Sequence, residues 1–146
     1  MQDLGLQERY QLFIGGKWKD ASDGKTFKTI CPADGRVLAE CAEATKEDVD
    51  EAVQAAWKAF ESWKHVSVNE RAAILTKIAD IIDENKERLA IIESMDNGKP
   101  VRETSAIDIP LAAQHFRYFA GCIMAEEGSA KMLDDNTLSL ILREQI

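Results

Sequence analysis

Apolar and polar residues alternate along the first forty or so positions of the chain, which is the pattern of short β-strands. The segment "YQLFIGGKWKDA" alternates on both sides of Gly15-Gly16, so we expect a hairpin with Phe13, Ile14 and Trp18 as wall residues. The segments "TFKTI" and "VLAECAEA" are predicted as two further strands, separated by the turn "CPADGR". The first part of the chain is therefore predicted to form a small sheet.

The apolar spacing then changes to a helical period. Thr45 and Asp48 form a capping-box pattern, and an apolar stripe follows them along one helix face. That stripe comprises Val49, Val53, Ala56, Trp57 and Phe60. Ser67 and Glu70 repeat the capping pattern before a long second helix, which we expect to run as far as the motif "DNGKP". The stripe of the second helix comprises Ile74, Leu75, Ile78, Ile81, Ile82, Leu89 and Ile92.

A third helical region is predicted to begin near Val101 and to be interrupted by Pro110, which cannot donate a backbone hydrogen bond. Asp108 is the expected N-cap of its second part. The predicted inner face of that part comprises Ala112, Phe116, Phe119, Ala120 and Ile123.

The last part of the chain is predicted as a loop, "EEGSAKMLDDN", followed by a strand, "TLSLILREQI". Leu138, Leu140 and Leu142 fall on one side of that strand. An apolar strand without a turn or partner after it is an aggregation hazard. We therefore expect the sequence to be a piece of a longer protein.

The motif "DNGKP" at residues 96–100 reads as a helix stop. Asn97-Gly98 tolerates positive φ, and Pro100 cannot continue a helix. Asp96 does not fit this reading, because a carboxylate beside the last helix carbonyls is disfavoured by about 0.3–1 kcal/mol. The motif therefore raises the question of whether a positive group belongs beside Asp96.

Charge and composition narrow the choice of partners. The chain has 146 residues, a net charge of −8, a hydrophobic content of 45% and no run of basic residues. These values favour a globular domain and argue against nucleic acid or an anionic membrane as the main partner. No apolar run approaches the ~20 residues of a membrane span, and the N-terminus lacks the order of a signal peptide. A cytoplasmic protein is expected.

Reactive side chains are few. Cys31, Cys41 and Cys122 are widely spaced, and His65 and His115 are the only histidines of the sequence. This inventory predicts no disulfide framework and no zinc site. The sequence also lacks a G-x-G-x-x-G turn, a phosphate-binding G-x-x-x-x-G-K-[ST] loop and a G-x-S-x-G elbow. We expect all three cysteines to be structural.

Several segments nevertheless follow one another in a recognisable order. Phe13-Ile14 with Trp18, the "P-x-x-G" turn of Pro32 to Gly35, and a helix from Ala44 through Ala56 are followed by "AFESW", "ERAAILTKIADIIDEN", "DNGKP" and "FRYFAG". In this order they resemble the start of NAD(P)-dependent aldehyde dehydrogenases, over nearly all of residues 10–146. The resemblance implies an α/β fold: the N-terminal strands and helices of a Rossmann-like dinucleotide-binding domain, incomplete in this chain.

The resemblance also implies a chemistry for the parent enzyme. In the family a cysteine thiolate attacks an aldehyde, a hydride passes to NAD or NADP, and water hydrolyses the resulting thioester to a carboxylic acid. The Pro-Trp-Asn motif, the general base and the nucleophile would follow residue 146. No catalytic or cofactor-binding residue is therefore assigned here, and we expect the 146-residue chain alone to be inactive.

Four residues are assigned to sites by the resemblance. Many family members bind a monovalent cation, Na⁺ or K⁺, at positions that correspond to the carbonyls of Thr29 and Ile30 and the carboxylate of Asp96. Oxygen ligands suit such a hard cation. The alternative is that Asp96 is a turn residue offset by Lys99 or Arg102. Leu111 corresponds to a position near the mouth of the substrate tunnel, although the sequence does not distinguish a tunnel residue from a core residue.

The resemblance divides the chain at residue 134. Residues 1–134 would belong to the dinucleotide-binding domain, and residues 135–146 would begin the β-arm used in homo-oligomers, dimers or tetramers. Cys31 departs from the family, in which asparagine is usual before the proline, so hydrogen bonding at that turn is in question. Two competing hypotheses remain: a non-enzymatic interaction or structural module, and a redox sensor that uses Cys41 or Cys122.

Overall fold

A computed structural model describes residues 4–143 as a mixed α/β chain. Its strands are β1 (Arg9–Tyr10), β2 (Leu12–Ile14), β3 (Lys17–Lys19), β4 (Thr26–Ile30), β5 (Val37–Ala42), β6 (Ser129–Asp134) and β7 (Thr137–Ile141). Its helices are α1 (Lys46–Trp63), α2 (Val68–Glu84), α3 (Lys86–Asn97), α4 (Val101–Glu103) and α5 (Ile109–Ala125), with a π-helical turn (Thr104–Asp108) between the last two.

Within residues 4–143, the strands form three small sheets. The first has the order β1-β5-β4, in which β1 is parallel and β4 antiparallel to β5. The other two are the antiparallel hairpins β2–β3 and β6–β7. The strands predicted from "TFKTI" and "VLAECAEA" are confirmed as β4 and β5.

The first hairpin forms as its turn chemistry predicts. Gly15 and Gly16 have φ angles of 59° and 79°, which a type I′ turn requires and which glycine adopts without steric cost. Phe13 lies opposite Trp18, and their ring centroids are 4.8 Å apart. This cross-strand aromatic pair adds to the stability of the hairpin.

Helices α1 and α2 each begin at the predicted capping box. Both predicted capping boxes, Thr45 with Asp48 and Ser67 with Glu70, are present. The prediction of one long second helix up to "DNGKP" is wrong, because the helix breaks at Asn85 into α2 and α3. Asn85 adopts φ −107° and ψ 12°, and its side chain donates to the carbonyl of Ile81 at 2.8 Å. An asparagine side chain competes with the backbone in this way and ends helices.

The third helical region differs from the prediction in its capping. Asp108 has helical dihedral angles and makes no capping hydrogen bond; its carboxylate accepts instead from Lys99 Nζ. Pro110 follows the π turn, whose wider backbone relieves the clash that proline causes in a regular helix. Phe119, predicted on the inner face, is 56% exposed, whereas Ala113 and Ala120 are buried.

The segment "EEGSAKMLDDN" was expected to be a loop, but its residues Ser129–Asp134 form β6. They pair with β7, the predicted final strand, whose described part ends at Ile141. Leu138 and Leu140 are exposed on it, and Leu142 lies beyond its end. The last residues of the predicted strand, 144–146, lie outside the described residues.

The core is built mainly of small side chains, because α2 and α5 pack closely along each other. Its buried alanines on these two helices are Ala72, Ala79, Ala113 and Ala120. Arg117 ties the same helices together through ion pairs with Asp80 and Asp83, both at 2.7 Å. Across residues 4–143, no helix is both long and apolar enough to cross a lipid bilayer.

The apolar stripe of α1 and the tryptophan at its end do not face a core in the described structure. Trp57 is 61% exposed and Trp63 is 40% exposed, since no other element described between residues 4 and 143 covers this face of α1. Val49 and Val53, on the same stripe, are also exposed. The helix is therefore amphipathic as predicted, with its apolar side open.

Candidate functional site

The candidate site is built around the end of α3. Gly98 terminates the helix in the left-handed conformation, at φ 82° and ψ 4°, and its N–H donates to the carbonyl of Ser94 at 3.0 Å. A Cβ at Gly98 would lie 3.3 Å from the Cβ of Pro32. The turn therefore requires glycine for its dihedral angles and for its close approach to the β4–β5 turn.

This approach brings Asp96 to β4. The hydroxyl of Thr29 donates to Asp96 Oδ1 at 2.6 Å, across 67 positions of sequence. The ladder between β4 and β5 shifts register between Thr29 and Ile30, where two residues of β5 oppose one of β4. A bulge of this kind leaves ladder groups unpaired and re-aims the backbone. The structure thus places the predicted residues Thr29, Ile30 and Asp96 at one end of β4.

The two cations of the alternative account, Lys99 and Arg102, form their ion pairs with carboxylates other than Asp96. Lys99 Nζ lies 2.8 Å from Asp108 Oδ2, and Arg102 pairs with its neighbour Glu103 at 3.6 Å. The partner that the structure gives to Asp96 is the neutral hydroxyl of Thr29. Neither residue therefore makes a direct ion pair with Asp96.

The turn that carries Cys31 keeps its hydrogen bonds despite the unusual residue. Cys31 is 3% exposed; its N–H donates to the carbonyl of Arg36, and its carbonyl accepts from Gly35, both at 2.9 Å. The Arg36 N–H and the Cys31 thiol both donate to Asp34 and lower the pKa of that carboxyl. The backbone and these side chains thus hold the loop in position beside Thr29 and Ile30.

A cavity of about 200 Å³ lies beside the Thr29–Asp96 pair. It is lined by Leu6, Tyr10, Thr29, Leu38, Ala39, Cys41, Ile92, Glu93, Met95 and Asp96. Cys41 is in its wall, but neither histidine of the chain is, and His65 and His115 are both exposed. The described lining of the cavity therefore supplies no histidine that would activate the thiol.

The third cysteine, Cys122, lies on α5 beside Tyr118 and raises the pKa of the Tyr118 phenol by hydrogen bonding to it. All three cysteines described are free thiols. Between residues 4 and 143, no three His, Cys, Asp or Glu side chains converge as they would around a transition metal.

Leu111 lies apart from this cluster, on the first turn of α5. It is 44% exposed and is not among the residues that line the cavity at Asp96. The helix that carries it is connected to the "DNGKP" turn by the Lys99–Asp108 ion pair. Sequence reasoning missed this pair and the Thr29 hydroxyl bond, since neither follows a local spacing rule.

Solved structures with the same architecture define the class of fold. The NAD-dependent aldehyde dehydrogenase from Sinorhizobium meliloti superposes with a TM-score of 0.88 at 38% identity, covering 97% of this chain and 29% of that one. Indole-3-acetaldehyde dehydrogenase complexed with NAD⁺ superposes with a TM-score of 0.89 at 32% identity, covering 95% and 28%. The chain thus has the α/β fold of the N-terminal segment of NAD-linked dehydrogenases.

Sequence relatives specify the family. Aldehyde dehydrogenase B of Escherichia coli (strain K12) is 48% identical over 143 residues, 98% of this chain and 28% of that protein. The acetaldehyde dehydrogenase of Pseudomonas aeruginosa is 49% identical over 141 residues, 97% of this chain and 28% of that protein. A model of the aldehyde dehydrogenase family matches residues 18–146. The chain belongs to the aldehyde dehydrogenase family.

The match covers a limited part of the relatives. The chain spans about 28% of the length of these curated relatives and corresponds to their N-terminal part. The sequence resemblance found from the segment order is therefore confirmed, for the N-terminal segment.

Proposed function

We propose that these residues form the N-terminal part of an enzyme that oxidises aldehydes to carboxylic acids with NAD⁺ or NADP⁺. Family membership over residues 18–146 is the observation that carries the proposal. The reaction would proceed through a cysteine thiohemiacetal and thioester, with a nucleophile other than Cys31, Cys41 and Cys122. The role of this segment is to supply strands and helices of the dinucleotide-binding domain.

The segment does not fit NAD⁺ by itself. It contains no G-x-G-x-x-G turn, and its three-stranded sheet pairs β5 with one parallel and one antiparallel neighbour. A dinucleotide site needs a Gly-rich turn between a strand and a helix N-terminus. The proposal therefore assigns no cofactor-binding residue to this chain.

NADH formation tests the proposal. The intact protein that contains this segment and the 146-residue chain are each incubated with acetaldehyde and NAD⁺ or NADP⁺. We expect the intact protein to form the reduced cofactor and the chain alone to form none. An intact protein that oxidises no aldehyde, together with a stable and monodisperse 146-residue chain, would favour the interaction-module hypothesis instead.

We also propose that a monovalent cation, Na⁺ or K⁺, binds the carbonyls of Thr29 and Ile30 and the carboxylate of Asp96. Three observations support it: Asp96 reaches β4, the β4 ladder shifts register at the two residues, and Lys99 and Arg102 form ion pairs with other carboxylates. All the proposed ligands are oxygens, which suit a hard cation. The cation would neutralise Asp96 beside the carbonyl end of α3.

Thermal unfolding tests the cation site. The melting temperature Tm is measured in sodium, potassium and tetramethylammonium chloride at equal ionic strength. We expect Na⁺ or K⁺ to raise Tm by about 2 °C or more, because a ligand that binds only the folded state stabilises it. Asp96→Asn should abolish this difference, whereas the matched variant Asp23→Asn should keep it. Equal Tm values in the three salts would contradict the site.

The remaining assignments extend the same proposal. We place Leu111 near the mouth of a substrate tunnel, which its exposed position on α5 supports. We place the beginning of an oligomerisation arm at residue 135; its β7 strand carries exposed Leu138 and Leu140 and pairs with β6. The intact enzyme would be a cytoplasmic homo-oligomer, and its sedimentation coefficient would reveal a dimer or a tetramer.

A further inference from the structure

The stretch between Asp96 and Leu111 is held together by contacts that the proposed reaction does not explain. The Lys99 N–H donates to Asn97 Oδ1 at 2.8 Å, and the Lys99 carbonyl accepts from the Ser94 hydroxyl. The backbone of Lys99 is therefore fixed on both sides, in the turn that follows Asp96. The Cα atom of Lys99, from which the side chain extends, therefore has a defined position.

The π turn beyond it needs external support. The N–H of Ile109 donates to the carbonyl of Thr104, five residues back, and Pro110 has no N–H to continue the ladder. Thr104 anchors the start of the turn: it is fully buried, and its hydroxyl donates to the carbonyl of Ala90 in α3 at 2.8 Å. The end of the turn has no comparable buried anchor among its described residues.

The ammonium of Lys99 supplies an anchor at that end. It lies 2.8 Å from Asp108 Oδ2, on the last residue of the π turn and three positions before Leu111. Hydrogen bonding to Asp108, with the nearby charges of Glu93 and Glu103, raises the pKa of Lys99 and outweighs desolvation. Lys99 therefore stays protonated throughout the physiological pH range.

We propose that Lys99 is a positioning residue for the substrate entrance. Its ion pair with Asp108 holds the end of the π turn and the first turn of α5, and with them Leu111, at a fixed distance from the Asp96 turn. This inference rests on the proposed function, since Leu111 matters to substrate only if the intact protein oxidises aldehydes. Lys99 itself touches no substrate in this account.

Two measurements on the intact protein test the inference. Amide hydrogen exchange is followed over residues 104–112, and KM and kcat are determined for octanal and acetaldehyde. The variants are Lys99→Met, which keeps the length of the side chain but removes its charge, Asp108→Asn, and the conservative Lys99→Arg. Lys25→Met is the matched control, because Lys25 makes a local ion pair with Asp23 in a distant turn.

We expect Lys99→Met and Asp108→Asn each to speed exchange over residues 104–112 by about threefold, as fits an exposed ion pair. They should raise KM for octanal by a similar factor, with KM for acetaldehyde and both kcat values within about twofold of wild type. Lys99→Arg should keep both the amide exchange rate over residues 104–112 and the KM for octanal near their wild-type values. Lys25→Met should change neither quantity.

Unchanged exchange in Lys99→Met and Asp108→Asn overturns the inference. Faster exchange with an unchanged ratio of the two KM values also overturns it, because the ion pair is then structural only. A wild-type protein without aldehyde oxidation contradicts the proposed function instead. The exchange measurement still decides in that case whether Lys99 positions this turn.

Discussion

Asp48 is a buried carboxylate in the part of the chain that the structure describes. It is 1% exposed, and its Oδ2 accepts from the backbone N–H groups of Ser22 and Thr45 at 3.0 and 2.9 Å. Its Oδ1 has no hydrogen bond among the described residues, and Lys19 Nζ lies 3.7 Å from it. One side chain thus caps α1 and fastens the turn before β4 to that helix.

Protonation of the Asp48 carboxylate at low pH should weaken these hydrogen bonds. The Ser22 and Thr45 N–H groups lower the pKa of Asp48 from 3.8 to about 2. Because the folded-state pKa is depressed, Asp48 stabilises the fold at pH values above about 4 and loses that contribution as the pH falls towards 2. We expect Asp48→Asn to lower Tm by several degrees at pH 7, and the difference from wild type to shrink below pH 4.

Thermal unfolding at a series of pH values measures this effect. The control is Asp50→Asn, an exposed position on the same helix, whose Tm should follow wild type at every pH. A Tm difference for Asp48→Asn that is the same at pH 7 and at pH 3 would contradict the role of the ionised carboxylate.

At the scale of elements, two glycines have opposite roles. Gly128 lies at the base of the β6–β7 hairpin, where an added Cβ would clash with the backbone carbonyl of Ile141. Gly121 lies on an exposed side of α5, and an added Cβ there would meet no described atom within 4 Å beyond its chain neighbours and its own helix backbone. One glycine is required by close approach, and the other only adds conformational entropy to the unfolded chain.

Alanine at the two positions separates these roles. Gly128→Ala should open the base of the hairpin and speed amide exchange of residues 129–141, because backbone cannot move aside as a flexible side chain can. Gly121→Ala should raise the free energy of unfolding by about 0.5–1 kcal/mol, as expected for a helix interior. Chemical denaturation and hydrogen exchange measure the two effects. A stabilising Gly128→Ala substitution would refute the close contact.

Elements governed by short-range chemistry were predictable. The Gly15-Gly16 turn and the two capping boxes each depend on neighbours within a few positions, and all three are present. The helix break at Asn85 was not predictable, because it depends on a side-chain hydrogen bond that competes with the helix backbone. Strand β6 was not predictable either, because it forms by pairing with β7. All six residues of strand β6 are exposed. The strand therefore lacks the alternation of buried and exposed residues by which a strand is recognised.

At the scale of the whole molecule, the candidate site depends on long-range contacts. Asp96 was singled out because its charge opposes the α3 dipole, which is a local argument. Its partner Thr29 was reached through the family resemblance, because 67 intervening residues leave no spacing rule to apply. The Lys99–Asp108 pair could not be predicted from sequence spacing either, because the two residues meet only through the geometry of the π turn.

The open face of α1 leads to a prediction for the chain as a whole. Val53, Ala56, Trp57 and Phe60 line an apolar depression of about 260 Å³, in which the Trp57 and Phe60 rings meet edge to face. Exposed apolar patches of this kind drive association in water. The net charge of −8 opposes it, and added salt screens that repulsion.

We therefore expect the 146-residue chain, purified alone, to bind the dye ANS and to associate reversibly as its concentration and the salt concentration rise. Trp57→Ser should weaken both effects, because it removes the largest side chain of the patch, whereas Lys58→Ser on the adjacent polar face should not. Fluorescence and sedimentation velocity measure the two effects. A wild-type chain that stays monomeric and leaves the dye dark at high salt would show that this face does not behave as exposed apolar surface in solution.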